Sequence, residues 1–166
     1  MKIPLRIGIT LLCFFAGYSL SAQNAEQLIA QGDTLLSYGR AKKALDKFDA
    51  AVKAAPSAES YSARASAWYY MGRDKEFLAD VQAALRLDSL HPEANYQRAL
   101  IAHQQTQDTA AVRYATRALR RAADLDQRQR IMVVRCEAFA GLGNTAQAIN
   151  DLTKGIAGRT DDLDAL

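Results

Sequence analysis

The chain has 166 residues, of which 49% are hydrophobic and 23% charged, and its formal net charge at pH 7 is +3. This is the composition of an ordinary globular protein, which excludes a disordered chain, a collagen-like repeat and a polytopic membrane protein. Two cysteines are too few for a disulfide scaffold, and so small a net charge does not identify a partner by itself.

The first 22 residues have the organisation of a secretory signal peptide. The basic residues Lys2 and Arg6 precede the apolar stretch Ile7–Leu20, and small residues end the segment. As a helix this stretch is about 21 Å long, which is short of the roughly 30 Å bilayer core, so cleavage is favoured over retention as an anchor. We place the cleavage after Ala22, with Ser21 as the alternative. The sequence thus predicts export to the periplasm or cell envelope of a bacterium, or release from the cell.

Cleavage at this point removes Cys13 and leaves Cys136 as a single cysteine. A lone thiol in an exported protein is either buried and inert or joined to another chain. We favour the buried thiol, because Cys136 stands at a position that holds small residues elsewhere in the chain.

Most of the remaining chain repeats itself with a period of about 34 residues, a period typical of helical arrays. Four repeats cover 25–57, 58–91, 92–128 and 129–160 of an array over 23–160, and a short acidic tail follows at 161–166. Each repeat has the pattern of two amphipathic helices joined by a turn, called helix A and helix B below. In the first repeat we expect helices over Ala25–Tyr38 and Ala41–Ala55, with the second ended by Pro56.

The ends of the helices are also marked in the sequence. Gly72 and Gly143 stand where Gly39 forms the first turn, whereas Thr106 replaces the glycine in the third repeat. Pro92 suits the first turn of a helix. The expected N-caps are Ser57, Asp108 and Asn144.

Within the repeats, small and large apolar residues alternate at fixed places. The members of this pattern are Leu28, Gly32, Leu35, Ala44, Phe48, Ala51 and Pro56 in the first repeat; Tyr61, Ala65, Trp68, Phe77, Val81 and Ala84 in the second; Ala99, Ala102, Ala111, Ala115 and Ala118 in the third; and Met132, Cys136, Phe139, Ala148, Leu152 and Gly155 in the fourth. Small residues allow two helices to approach closely, and large ones fill the space beside them. In this pattern the chain resembles the tetratricopeptide repeat (TPR) family.

The resemblance implies an all-α fold of four helix-turn-helix repeats stacked as a right-handed superhelix, an α-solenoid. It further implies that a protein or peptide segment binds in the concave groove lined by helix A. The residues at the corresponding positions are Ser62, Ser66, Tyr69, Tyr70, Tyr96, Leu100, His103 and Gln104. The alternative for Tyr69 is that it packs between adjacent helices.

A row of arginines follows the third repeat's helix B at helical spacing, at Arg113, Arg117, Arg120 and Arg121. Such a row is either a solvated helix face or a docking patch for an acidic partner or for lipid headgroups, which makes membrane-surface contact an alternative. Tyr114 is the single aromatic residue among these arginines, and export argues against nucleic acid as the partner.

Two further arginines have aspartates at matching places in helix B of their own repeats. Arg64 precedes Asp80 by sixteen residues, and Arg135 precedes Asp151 by the same distance. This spacing predicts an ion pair within the second and fourth repeats, worth about 0–1 kcal/mol if exposed.

No motif for catalysis, phosphate binding or metal binding is present, and His91 and His103 lack ligands at metal-binding spacing. We therefore expect no catalytic residues, no metal and no cofactor. The leading hypothesis is a non-enzymatic protein-interaction module of the cell envelope. The alternative is a structural subunit that forms a homo-oligomer through an apolar face of its last helix at Ile149, Leu152 and Ile156.

Overall fold

The computed structural model describes the backbone of residues 5–163 and the side chains of residues 21–154. In this part of the chain there are eight α-helices and no strands. The helices are α1 (Leu5–Ser37), α2 (Ala41–Ala54), α3 (Ala58–Tyr70), α4 (Asp74–Leu87), α5 (Pro92–Gln104), α6 (Asp108–Leu119), α7 (Leu125–Gly141) and α8 (Thr145–Leu163). The expected all-α fold of paired helices is confirmed. The chain divides inside α4 into an N-terminal half, Met1–Phe77, and a C-terminal half, Leu78–Leu166.

The turns between helices A and B are built alike in all four repeats. Each has one residue in the left-handed region, with φ of 70° at Gly39, 66° at Gly72, 58° at Thr106 and 72° at Gly143. The next residue donates its backbone N–H to a carbonyl five residues earlier, as Arg40 does to Leu35 and Gln107 to Ala102. This is the Schellman arrangement that ends helices, and it normally uses glycine because a Cβ is strained at positive φ. Thr106 therefore occupies a glycine position.

In the N-terminal half, α1 and α2 pack around the fully buried ring of Phe48. The ring lies so close to Gly32 that a Cβ added there would overlap it. The small residues Ala44 and Ala51 are also fully buried on α2. The predicted alternation of small and large residues is thus the packing of the two helices against each other.

In the C-terminal half, α5, α6 and α7 share a core in which small residues again meet large ones. Its centre holds the fully buried residues Ala99, Ala115, Ala118 and Ile131, together with Val134. Ala102, Ala111 and Ala138 form a second contact between the same three helices. The third and fourth repeats are therefore packed by the same rule as the first, although the third lacks the turn glycine.

Two of the three expected N-caps are confirmed. The Ser57 hydroxyl accepts from the backbone N–H of Ser60, whose side chain in turn binds the backbone of Ser57. Asn144 accepts from the backbone N–H of Gln147 at 3.3 Å. The prediction for Asp108 is wrong: Gln107 is the cap residue of α6, and Asp108 is the first helical residue. Its carboxylate is instead occupied by His103, described below.

The N-terminal helix differs from the expectation that it begins at Ala25. Its backbone is helical from Leu5, so α1 runs through the predicted cleavage position. Among the described residues, no helix has both the length and the apolar composition of a membrane span. The side chains of residues 1–20, on which most of the predicted signal peptide falls, lie outside the described residues, as does the tail at 164–166.

The threonine in the third turn gives a test of the fold. A β-branched residue in the left-handed region costs about 1–2 kcal/mol, so Thr106→Gly should raise the free energy of unfolding by about 1 kcal/mol after the entropy lost by glycine in the unfolded chain is subtracted. Chemical denaturation followed by circular dichroism measures the change. The reverse substitution, Gly72→Thr, should lower stability by a similar amount. A Thr106→Gly protein no more stable than the parent would show that this turn is unstrained.

Candidate functional site

The helix A residues predicted to contact a partner in the N-terminal half all lie on α3, but they are not equally accessible. Ser62 is only 1% exposed, and its hydroxyl donates to the carbonyl of Glu59 at 3.0 Å. Ser66 is half-buried and donates to the carbonyl of Ser62. Both hydroxyls are thus used within the helix, and Ser62 offers no surface to a ligand, which removes it from the candidate set.

Tyr69 and Tyr70 at the end of the same helix are different, because both are exposed, at 41% and 68%. Their rings meet edge to face with centroids 6.3 Å apart. The Tyr69 ring also packs against the ring of Phe77, with centroids 5.3 Å apart. Tyr69 therefore makes a packing contact between helices and is also partly exposed to solvent. The ring of Tyr70 is held by its neighbour while most of its surface faces solvent.

In the C-terminal half the four predicted residues lie on α5, where Leu100, Tyr96 and His103 contact other helices. Leu100 packs against the core shared by α5, α6 and α7, and so does Tyr96. The ring of Tyr96 also carries the guanidinium of Arg130 at 5.3 Å from its centroid. Of the four, Gln104 is exposed and the others are half-buried. The α5 surface therefore offers a partner less free aromatic area than α3 does.

The third of these contacts joins three helices through His103. Its Nδ1 lies 2.7 Å from a carboxylate oxygen of Asp108 on α6, and its Nε2 lies 3.8 Å from one of Glu137 on α7. The Asp108 carboxylate also packs against Gly141, where an added Cβ would overlap it. His103 is thus an internal connection of the C-terminal half. No group of three or more His, Cys, Asp and Glu side chains in the described part of the chain is arranged to hold a metal ion.

The predicted arginine row divides into two groups with different surroundings. Arg121 binds Asp88 with an N–O distance of 3.1 Å and is thereby neutralised, and Arg120 caps the end of α6. Arg113 and Arg117 instead lie over the ring of Tyr114, with guanidinium carbons 5.2 and 5.9 Å from its centroid. A third arginine, Arg98 of α5, has its guanidinium carbon 5.5 Å from the same centroid and was not predicted from the sequence. Its place on another helix hides it from a pattern sought along α6.

Two of these three arginines change the acidity of the tyrosine. Partial burial alone would raise the pKa of Tyr114, but hydrogen bonds and positive charge from Arg98 and Arg113 outweigh burial and lower that pKa. The ring therefore lies in a positive local field.

Comparison with solved structures identifies the architecture. A structure from the functional characterisation of Pseudomonas aeruginosa PilF matches with a TM-score of 0.73 and 18% identity, covering 82% of this chain and 62% of the PilF chain. The Thermus thermophilus TPR protein TTC0263 matches with a TM-score of 0.70 and 20% identity, covering 97% and 92% of the two chains. This chain has the TPR fold.

A third TPR structure with a similar fold is YrrB, described as having an unusual peptide-binding site. Its TM-score is 0.58 at 18% identity, and the match covers 84% of this chain and 71% of YrrB. No family model and no curated protein matches the sequence. At these identities the likeness extends to the TPR fold alone.

In the fourth TPR, the predicted ion pair between Arg135 and Asp151 is present and buried. Two nitrogens of the guanidinium bind the two carboxylate oxygens at 2.7 and 2.8 Å, and a third contact reaches Thr116 Oγ1 of the preceding helix B. The Asp151 side chain is 1% exposed and that of Arg135 is 18% exposed. Because it is buried, we expect this pair to contribute more to the free energy of unfolding than an exposed pair would.

In the second TPR, the arginine at the matching position binds the preceding helix B as well. Arg64 donates to Asp49 Oδ1 at 2.8 Å, an aspartate of α2 that sequence spacing did not single out for it. The two arginines are similarly buried, at 21% and 18% exposed, but the Asp49 side chain is 40% exposed where that of Asp151 is 1% exposed, so the two pairs differ in the solvation of the carboxylate.

Cys136 of the fourth TPR is buried and free, as predicted. Burial raises the pKa of its thiol, and the nearby carboxylates of Asp151 and Glu137 raise it further. The thiol therefore stays protonated near neutral pH, where it is a poor nucleophile. Its role is that of the small residue between helices.

The two arginine pairs give a matched test of burial. Asp151→Ala leaves the Arg135 guanidinium without its bidentate partner in a buried place and should lower the free energy of unfolding by about 3 kcal/mol. Asp49→Ala removes a carboxylate that is 40% exposed and therefore largely solvated, and it should cost less than about 1 kcal/mol. Urea denaturation of both variants measures the difference. Equal losses would contradict the conclusion that burial of the carboxylate decides the strength of these pairs.

Proposed function

We propose that this chain is a non-enzymatic protein-interaction module that binds a peptide or protein segment through helix A side chains. The proposal is supported first by the TPR fold, which it shares with a protein described by its peptide-binding site. The observation that carries it is the exposed tyrosine pair on α3. Exposed aromatic rings that are already held in position are frequent anchors of protein interfaces, because they bury a large area at little entropic cost.

We also propose that the module acts in the bacterial cell envelope after export. The support is the arrangement of residues 1–22, in which basic residues, an apolar stretch and small residues follow in the order of a signal peptide. Release from the cell is the alternative to retention in the periplasm.

A displayed peptide library selected on the wild-type protein would test the binding site. Peptides recovered there should bind Tyr70→Ala at least about tenfold more weakly, because an anchoring aromatic typically contributes 1–2 kcal/mol or more. Tyr70 is the better choice than Tyr69, since its ring is mostly exposed and its loss leaves the Phe77 contact intact.

The matched control is Tyr38→Ala, which removes another tyrosine of the N-terminal half that is 73% exposed. Its affinity should equal that of the wild type. Equal weakening by both substitutions, or by neither, would contradict a site at the α3 tyrosines. Thermal melts of both variants establish that the fold is retained.

The second candidate function is self-association through the fourth TPR. Ile149 and Leu152 are 58% and 49% exposed on one face of α8, and Val133 and Leu142 of the same TPR are exposed as well. Ile156, the third residue predicted for this face, lies outside the residues whose side chains are described. Covering these apolar groups with a second copy would remove them from water.

Light scattering over a concentration series would test this candidate. The mass of the wild type should rise with concentration, and the variant Ile149→Asp/Leu152→Asp should remain a monomer, because two charges would have to be buried on association. Leu87→Asp/Leu90→Asp changes two other exposed leucines and should associate like the wild type. A wild type that stays monomeric throughout would eliminate the candidate.

A further inference from the structure

The arginines around Tyr114 form a cluster of like charge that the fold does not neutralise. Arg98, Arg113 and Arg117 place their guanidinium carbons between 5.2 and 5.9 Å from one ring centroid. None of the three forms an ion pair with a carboxylate of the described residues. Three other arginines of the C-terminal half, Arg121, Arg130 and Arg135, do have such partners.

This arrangement works against the stability of the isolated protein. Arg113 and Arg117 are four residues apart on α6, where like charges repel each other, and Arg98 of α5 adds a third charge at the same ring. The contacts with the tyrosine offset part of this repulsion, since a cation over an aromatic face gains about 0.5–1 kcal/mol when exposed. An anion held by the three arginines would remove the remainder.

The chemistry of the cluster favours phosphate groups over a protein surface. Guanidinium groups donate two parallel hydrogen bonds to phosphate oxygens, and a phosphate has enough oxygens to accept from several arginines at once. A protein partner would be expected to use apolar anchors too. Yet α5 and α6, both fully described, carry none of the large hydrophobic side chains that are exposed elsewhere in the chain.

The openness of the cluster favours a surface that carries many phosphates over a single free ion. Arg113 and Arg117 are exposed, whereas Tyr114 is half-buried and packs on the core of α5, α6 and α7. A free phosphate at so solvated a place gains little from each contact. Anionic lipid headgroups, by contrast, attract a basic cluster by the summed charge of the membrane surface.

We infer that Arg98, Arg113 and Arg117, oriented on the Tyr114 ring, form a docking site for the phosphate headgroups of an anionic lipid surface. Arg120 is the residue that caps the C-terminal end of α6, and it adds a further positive charge at that end of the helix. The inference concerns the C-terminal half and is independent of peptide binding at the tyrosines of α3.

Sedimentation of the full chain with lipid vesicles tests the inference. The quantity measured is the ratio of binding to vesicles containing phosphatidylglycerol over binding to vesicles of phosphatidylcholine alone, so that any apolar contribution of residues 1–22 cancels. For Arg98→Gln/Arg113→Gln/Arg117→Gln this ratio should fall roughly 100-fold, if each arginine near the surface contributes its usual share. The preference should also weaken as salt is raised.

The control Lys42→Gln/Lys43→Gln/Lys53→Gln removes the same charge from three exposed lysines of α2 and should keep the wild-type preference. Thermal melts verify that each variant is folded. If the triple arginine variant is unfolded, Arg113→Gln/Arg117→Gln changes only exposed side chains and should lower the ratio roughly 30-fold.

Four results would overturn the inference. The first is a wild type with no preference for anionic vesicles. The second is an equal loss of this preference in the arginine and lysine variants, because such a loss would reflect net charge alone. Calorimetric binding of inorganic phosphate that requires the three arginines, without vesicle binding, would assign the site to a free ion. Binding of polyglutamate that requires them, again without vesicle binding, would assign it to an acidic protein.

Discussion

The close approach of paired helices at small residues is the constraint on which the rest of the structure depends. It is sharpest where the Phe48 ring of α2 fills the space that a side chain at Gly32 of α1 would occupy. The same requirement leaves Ala65, Ala99 and Cys136 buried at the matching positions of later TPRs. Each large side chain fills the gap beside a small one, so the small residues and the large residues cannot be changed independently of each other. The alternation of small and large residues thereby sets the distance between the helices.

This constraint also explains how much of the fold could be predicted. Packing between helices A and B repeats with the sequence, so helix positions, turns and the buried thiol could be inferred from one period. Predictions failed where a neighbour outside the local pattern took over a side chain. Asp108 has the residue type and place of an N-cap, but its carboxylate lies 2.7 Å from His103 of α5, and the cap position belongs to Gln107. Thr106 shows the converse: the turn geometry persists where its usual residue is missing.

The candidate sites were harder to predict because exposure depends on contacts between consecutive repeats. Tyr96 matches a groove position by its place in helix A, yet Arg130 of the following TPR covers its ring. Ser62 matches another such position and is fully enclosed, while Tyr70, eight residues further along α3, is mostly exposed. A pattern within one repeat cannot distinguish these cases. Arg98 escaped notice for a different reason: it belongs to the same repeat as Tyr114 but to the other helix, and the two meet only once α5 and α6 are packed together.

Charge in the C-terminal half is divided by burial rather than by sequence position. Arg135 lies among packed helices and must have Asp151, because an isolated cation there would be poorly solvated. Arg113 and Arg117 are exposed and therefore bear no such requirement; water solvates them, and the nearest aromatic ring fixes their direction. Arginines in the adjacent helices α6 and α7 thus differ in role: Arg135 forms a buried ion pair, whereas Arg113 and Arg117 are solvated at the surface. The net charge of +3 conceals this division, because paired arginines cancel against their carboxylates while Arg98, Arg113 and Arg117 gather at a single tyrosine. A positive surface can therefore arise in a protein whose net charge is small.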